Sequence, residues 1–208
     1  MIKLWGRANS SNVIKVILTL EELGLPYERL DVGGPFGGTD TAAYRAMNPL
    51  GLVPSLEDGP LALFESNAIA RYLCNAYAPD STLYPQAPAR RAVVEAWMEF
   101  QQTAQNRPMS VVFQGLVRTP PEQRDTAAIA TAVTDVAKIW NILDGRLATQ
   151  EWLAGNHLTL ADIAFAPHIH RWLNLPIPNR PNAPNLQTWY TRLLTRPSYT
   201  RHGAIPIT

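Results

Sequence analysis

Val53-Pro54-Ser55-Leu56-Glu57, followed after the Asp58-Gly59-Pro60 turn by Leu61-Ala62-Leu63-Phe64-Glu65-Ser66-Asn67-Ala68-Ile69, is the stretch whose reading decides the fold. Residues 53–57 and 61–64 read as two short strands, and the second runs straight into a helix that opens with Glu65, Ser66 and Asn67. A helix start brings free backbone N–H groups and a partial positive charge. Ser66 adds a hydroxyl donor there and Glu65 a carboxylate. Together they can hold a small zwitterion, its carboxylate on the N–H groups and hydroxyl, its ammonium on Glu65. Pro54 interrupts a strand-like run, because proline gives no donor to a ladder. With a cis Val53-Pro54 bond, the main chain of Val53 would face outward, free to pair with a peptide-like ligand. The plain alternative is a hairpin followed by a helix that Ser66 merely caps.

Upstream, residues 1–5 alternate like a half-buried strand. Val13, Val16, Ile17, Leu20 and Leu23 then recur at helical spacing until Gly24 closes the helix. Residues 25–32 read as a second strand, so strand, helix and strand form a βαβ unit with its strands parallel. The glycine-rich segment 33–38 is no phosphate loop: it lacks the GK[ST] ending and follows the second strand instead of the first. A short helix through Tyr44 and an Asn48-Pro49-Leu50-Gly51 turn lead back to the hairpin.

Downstream the character changes. Pro79, Pro85 and Pro88, with Tyr84 among them, mark an interdomain linker. No strand pattern follows it. A helical pattern runs over residues 90–117, where Pro108 is expected to kink or divide it. Pro120-Pro121 restart a helix running to about Leu147, with Ile129, Val133, Val136, Ile139, Trp140 and Leu143 on its apolar face. Thr159 and Asp162 have the spacing of a capping box at the head of a further helix, and the last clear helix covers residues 185–194. The expected organisation is an α/β domain over 1–78, a linker over 79–88 and an all-helical domain over 89–208.

Totals exclude several classes. The 208 residues carry 18 Lys+Arg against 17 Asp+Glu, so net charge gives no reason to expect nucleic acid or an anionic membrane as partner. No apolar run is long enough to span a bilayer, and residues 1–5 do not read as a secretory signal. The one cysteine, Cys74, forms no internal disulfide or Cys-x-x-Cys pair, and mid-helix it reads as a buried, inert thiol. A cytoplasmic protein is the expectation. His168 and His170 are spaced i, i+2 on a helix and so face apart, which argues against a metal pair.

A strand, a Val-Pro step, a second strand and Glu-Ser opening a helix resemble the glutathione-binding half of a cytosolic glutathione transferase. Leu158-Thr159-Leu160-Ala161-Asp162-Ile163 resembles the buried capping box of the same family's helical domain, where its role is folding, so Asp162 is kept out of the catalytic set. The resemblance implies a thioredoxin-like N-terminal domain followed by a helical bundle. It implies glutathione as co-substrate with no metal, a homodimer, and a role in detoxification. Ser10-Ser11-Asn12 followed by Lys15-Val16 looks like the serine-type, theta-like and nu-like bacterial members.

The chemistry such an enzyme needs is modest. A thiol of pKa about 8.5 brought to about 6.5 needs roughly 3 kcal/mol. A hydrogen bond to a charged group supplies roughly 1.5–3 kcal/mol and a helix start about 0.3–1. One hydroxyl at the head of the first helix therefore suffices. By resemblance Ser10 is that donor, with Asn12 facing the same sulfur. One of Ser10, Ser11 and Asn12 can instead simply cap the helix. The resemblance further assigns Ser11, Val53, Pro54, Glu65 and Ser66 to glutathione. Trp97, Gln101, Met109 and Phe113 are candidates for the electrophile pocket, with bundle core or dimer interface as their plain alternative. Leu52 departs from the pattern: many relatives carry Lys, Arg or Gln there, facing the glycyl carboxylate. A glutathione-dependent disulfide reductase, and a non-catalytic module that binds protein partners, are the competing readings.

Overall fold

The computed structural model describes residues 1–178 and 180–208. Ile2–Trp5 forms β1, with Ile2 and Leu4 buried and Lys3 exposed, as alternation requires. It is an inner strand of a four-stranded sheet ordered β2-β1-β3-β4, where β2 is Tyr27–Leu30, β3 is Ser55–Asp58 and β4 is Leu61–Phe64. β1 runs parallel to β2, placing Trp5 opposite Leu30, and antiparallel to β3, placing Trp5 opposite Ser55. β3 and β4 form the antiparallel hairpin, Ser55 opposite Phe64. α1 (Ser11–Glu22) crosses from β1 to β2 and packs Val13, Val16, Ile17 and Leu20 against Leu4, Leu56, Ile69 and Leu73. α2 (Ala42–Met47) is capped by Thr41, whose hydroxyl accepts from Tyr44 N, and α3 (Ser66–Tyr77) follows β4.

β2 starts later than expected because the end of α1 uses the residues before it. Gly24 sits at φ 65, and Leu25 N donates back to Leu20 O at 2.9 Å, closing the helix from beyond its last residue. β3 likewise begins only at Ser55. Val53-Pro54 precedes it as a cis peptide, and the proline offers no ladder donor.

The remaining elements are helical: α4 (Pro88–Phe100), α5 (Asn106–Phe113), α6 (Thr126–Leu147), α7 (Leu160–Asn174), α8 (Pro184–Leu194) and α9 (Pro197–His202). The division expected at Pro108 falls just before it. Gln101–Gln105 form a wide i→i+5 turn, and Pro108 then lies in the first turn of α5, where a missing N–H is tolerated. α6 begins later than Pro121: Pro121–Gln123 make one 3₁₀ turn, and Asp125 caps α6 by accepting from Ala128 N.

α7 is the central helix, with Ile163, Phe165, Ile169 and Trp172 buried among Trp140, Trp189 and Tyr199. Asp162 fixes its start. The fully buried carboxylate accepts from Thr159 N and Thr159 Oγ1, both at 3.0 Å, from Leu153 N at 2.9 Å, and from Trp189 Nε1 at 3.0 Å. Burial pushes its carboxyl up to about 6, while those four donors pull the other way. Between α3 and α4 the chain holds no helix or strand; Leu83 and Tyr84 are buried there, and Leu83 O accepts from Leu160 N at 2.9 Å. α7 also packs on α1, which joins the α/β part to the bundle.

Candidate active site

A cleft of about 370 Å³ opens where the loop after β1, the 33–39 segment and the chain ahead of β3 face α5, the turn after it, and α7. Ser10 heads α1. Its backbone is extended, φ −81 and ψ 126, yet its hydroxyl makes no cap bond. The helix start is thus left open: no acidic residue stands in its first turn, and its first N–H groups have no side-chain acceptor. Ser10 is 8% exposed and lines the cleft. Ser11 and Asn12 line the same cleft, and Asn12 Oδ1 is buried with no hydrogen-bond partner.

The wall formed by Leu52 and Val53 is held from behind. Leu52 O accepts from Tyr44 Oη at 2.7 Å and from Asn48 Nδ2 at 2.8 Å. Leu52 and Val53 both line the cleft, but Leu52 is 62% exposed. Glu65, at the head of α3, has φ 68, the left-handed region that costs a non-glycine residue about 1–3 kcal/mol. Ser66 is buried next to it. Neither Glu65, Ser66 nor Pro54 is among the residues lining the cleft.

Of the four residues expected to receive an electrophile, only Phe113 lines the cleft. Trp97 packs edge-on against Phe100 and Phe165, at 5.9 and 6.5 Å between centroids. Met109 is 1% exposed within the bundle core. Gln101 is fully buried and accepts from Lys15 Nζ at 2.5 Å. These three are held in packing: Trp97 against Phe100 and Phe165, Met109 in the bundle core, and Gln101, the first residue of the wide turn, against Lys15 of α1.

Reasoning from sequence missed a set of arginines. Arg7, Arg118 and Arg171 all line the cleft, and among the described residues no Asp or Glu does. Arg171 is stacked over Phe113, its Cζ 3.9 Å from the ring centroid, and Nη2 donates to Asn9 O at 2.8 Å. Burial, with Arg118 and Arg7 nearby, pushes its guanidinium down to about 10. Arg7 shifts the same way, from burial and then Arg118, and its Nε is buried without a partner. One signal was available. Asn106, Ser110, Gln114 and Arg118 recur every fourth residue, a polar stripe on a helix otherwise searched for its apolar face. All four line the cleft. A second wide turn, Gln114–Arg118, carries the stripe on past the end of α5. Cys74 lies elsewhere, buried, with its thiol pushed up to about 12 by that burial.

A βαβ unit extended by a hairpin and a helix, joined to an all-helical bundle with a cleft at the junction, defines a two-part protein whose thioredoxin-like half turns the head of its first helix to that cleft. Two family models match, glutathione S-transferase N-terminal domain over residues 4–81 and C-terminal domain over residues 109–197. Glutathione S-transferase GstB of Escherichia coli strain K12 is 45% identical over 100% of both chains. Glutathione S-transferase 3 of Zea mays is 33% identical over 99% of this chain and 95% of its own. The crystal structure of a theta class glutathione S-transferase from Xanthomonas axonopodis pv. citri, with glutathione bound, superposes with a TM-score of 0.95 at 47% identity, over 100% of this chain and 99% of that one. The chain therefore belongs to the glutathione S-transferase family and is an enzyme of that class.

Proposed function

We infer that this cleft binds glutathione with its sulfur at Ser10 and delivers the thiolate to a small electrophile. One observation carries the reading: Ser10 occupies the cap position of α1 without using its hydroxyl to cap. That leaves a donor, an open helix start and Asn12 at one point of a cleft rich in positive charge. In this reading Ser10 is a hydrogen-bond donor and no nucleophile. Asn12 supports the same sulfur, Ser11 and the main chain of Val53 hold the peptide, and the γ-glutamyl end extends past the lining of the cleft to Glu65 and Ser66 at the head of α3.

Arg7 takes the part that Leu52 cannot. A Cβ added at Gly33, which sits at φ 79, would meet Val53 Cγ1 at 3.1 Å, Arg7 Nη1 at 3.3 Å and Thr39 Cγ2 at 3.4 Å. The guanidinium of Arg7 is therefore gathered with Val53 and Thr39 at the wall where a glycyl carboxylate would lie, and a side chain at position 33 would be strained by its φ and would crowd that guanidinium. The enzyme is read as a cytoplasmic homodimer, with exposed Tyr77 and Val93 on α3 and α4 as part of the contact; sedimentation of the native chain at monomer mass would count against that.

The test is the ultraviolet absorbance of bound thiolate as a function of pH. Wild type should ionise bound glutathione at least one pH unit below free thiol, a differential of about 1.4 kcal/mol. Ser10→Ala should move the transition up by about that unit while the affinity for glutathione changes little. Unchanged ionisation in Ser10→Ala would rule out Ser10 as the donor.

A further inference from the structure

Arg118 and Arg171 stand around one aromatic ring in the cleft. Their Cζ atoms lie 5.6 and 3.9 Å from the centroid of Phe113. Both belong to the helical part, whereas Arg7 rises from the loop after β1, beside Val53 and Thr39. Arg118 Nη2 donates to Thr208 O at 2.7 Å and Arg171 Nη2 to Asn9 O at 2.8 Å. A guanidinium carries five N–H donors, so each keeps an edge for a ligand. Among the described residues no Asp or Glu carboxylate lies within 4.0 Å of either. Like charges held this close in a partly desolvated cleft repel each other, and a bound anion relieves that repulsion.

The rest of the lining points the same way. Among the described residues its only apolar side chains are Leu52, Val53 and Phe113, and Asn106, Ser110 and Gln114 line it beside them. A pocket for a purely hydrophobic molecule is lined mostly by apolar groups. This one offers a single ring flanked by two fixed forks of the kind that match a carboxylate bidentately.

We propose that Arg118 and Arg171 form a carboxylate seat beside Phe113, so that the electrophiles this cleft selects are small molecules bearing a carboxylate. The inference rests on the glutathione transferase reading above and adds the class of second substrate. With a chloronitroarene as probe, the glutathione sulfur attacks the carbon bearing chlorine. The C–S bond forms, the C–Cl bond breaks, chloride leaves with the bonding pair, and the thiol proton has already passed to solvent. Neither guanidinium takes part in that exchange; both position the acid.

The experiment compares 4-chloro-3,5-dinitrobenzoate with its carboxamide, the same leaving group with and without the charge, each corrected for its uncatalysed rate with glutathione. Wild type should favour the carboxylate by at least tenfold in kcat/KM, chiefly through KM. Arg118→Gln, at an exposed position, and separately Arg171→Gln should lower kcat/KM for the carboxylate at least fivefold more than for the carboxamide. Added salt should shrink the preference in wild type. Turnover of the carboxamide with no preference for the carboxylate would overturn the seat and leave the transferase reading standing. A KM for glutathione that rises in Arg118→Gln as far as that for the carboxylate would assign the pair to glutathione and also overturn the seat. Wild type inert towards both compounds, with glutathione unbound, would overturn the transferase reading and the seat together.

Discussion

Ser10 and Arg7 lie three residues apart in one loop, and Ser10 N donates to Arg7 O at 3.2 Å. That a serine heads α1 at position 10 was legible in the sequence, and that Arg7 lines the same cleft was not, for a physical reason. A hydroxyl at the head of an amphipathic helix is a local signal, and Ser10 shows it. Arg7 matters only because the chain returns at Gly33 and Val53 to meet it, and that meeting is a product of the fold. The departure at Leu52 left open whether another group, reached through the 33–38 loop, holds a glycyl carboxylate or glutathione binds weakly. If Arg7 seats the glycyl carboxylate, Arg7→Gln should weaken glutathione binding about tenfold or more, since a hydrogen bond to a charged group is worth roughly 1.5–3 kcal/mol. Isothermal titration calorimetry reads this directly, and an affinity within twofold of wild type would remove Arg7 from the glutathione site. Arg171 was hidden more deeply: it sits in a helix whose neighbours are nearly all buried, so its pattern reads as core.

At the scale of the element, α1 carries two opposed demands. Its head must stay open for a ligand, while its body must bury Lys15, which is 1% exposed. Lys15 Nζ has Gln101 Oε1 as its partner at 2.5 Å, which is why Gln101 belongs to packing between the two halves and not to the cleft. Burial pushes the ammonium down to about 7, and Glu65 pulls it partly back. The folded chain therefore gives up this proton near neutrality, whereas the unfolded chain holds it until the ordinary lysine range. Between those limits the unfolded state binds more protons, so stability rises with pH, by at most about 1.4 kcal/mol per unit. Lys15→Met should flatten that slope in urea melts run from neutral to alkaline pH; a slope identical to wild type would show that Lys15 stays charged in the fold. The βαβ unit, the hairpin and the capping spacing were legible because each is encoded within a few residues. The two wide turns that aim α5 were not, because no residue type announces an i→i+5 turn.

For the molecule as a whole, α7 is the beam on which both halves rest, and Asp162 is its fixing point. Removing that carboxylate strands Leu153 N, Thr159 N and Trp189 Nε1 in the interior without an acceptor. Asp162→Ala should cost at least about 3 kcal/mol, lowering the melting midpoint by roughly 6–12 °C in a chain of this size; a midpoint within a degree of wild type would contradict the role given to it. Its consequences for activity should come only through loss of fold, since it lies outside the cleft. The two-part architecture was legible from the change in periodicity at the proline-rich segment. The cleft between the parts was only half legible: its α/β wall followed from local motifs, and its helical wall depended on how α5 and α7 are rotated. The central claim concerns one sulfur atom, and the most direct measurement is a crystal structure of the native enzyme soaked with glutathione. The thiolate assignment predicts the sulfur within hydrogen-bonding distance of Ser10 Oγ, with the γ-glutamyl end at Glu65 and Ser66. An empty cleft, or a sulfur seated away from Ser10, would contradict it.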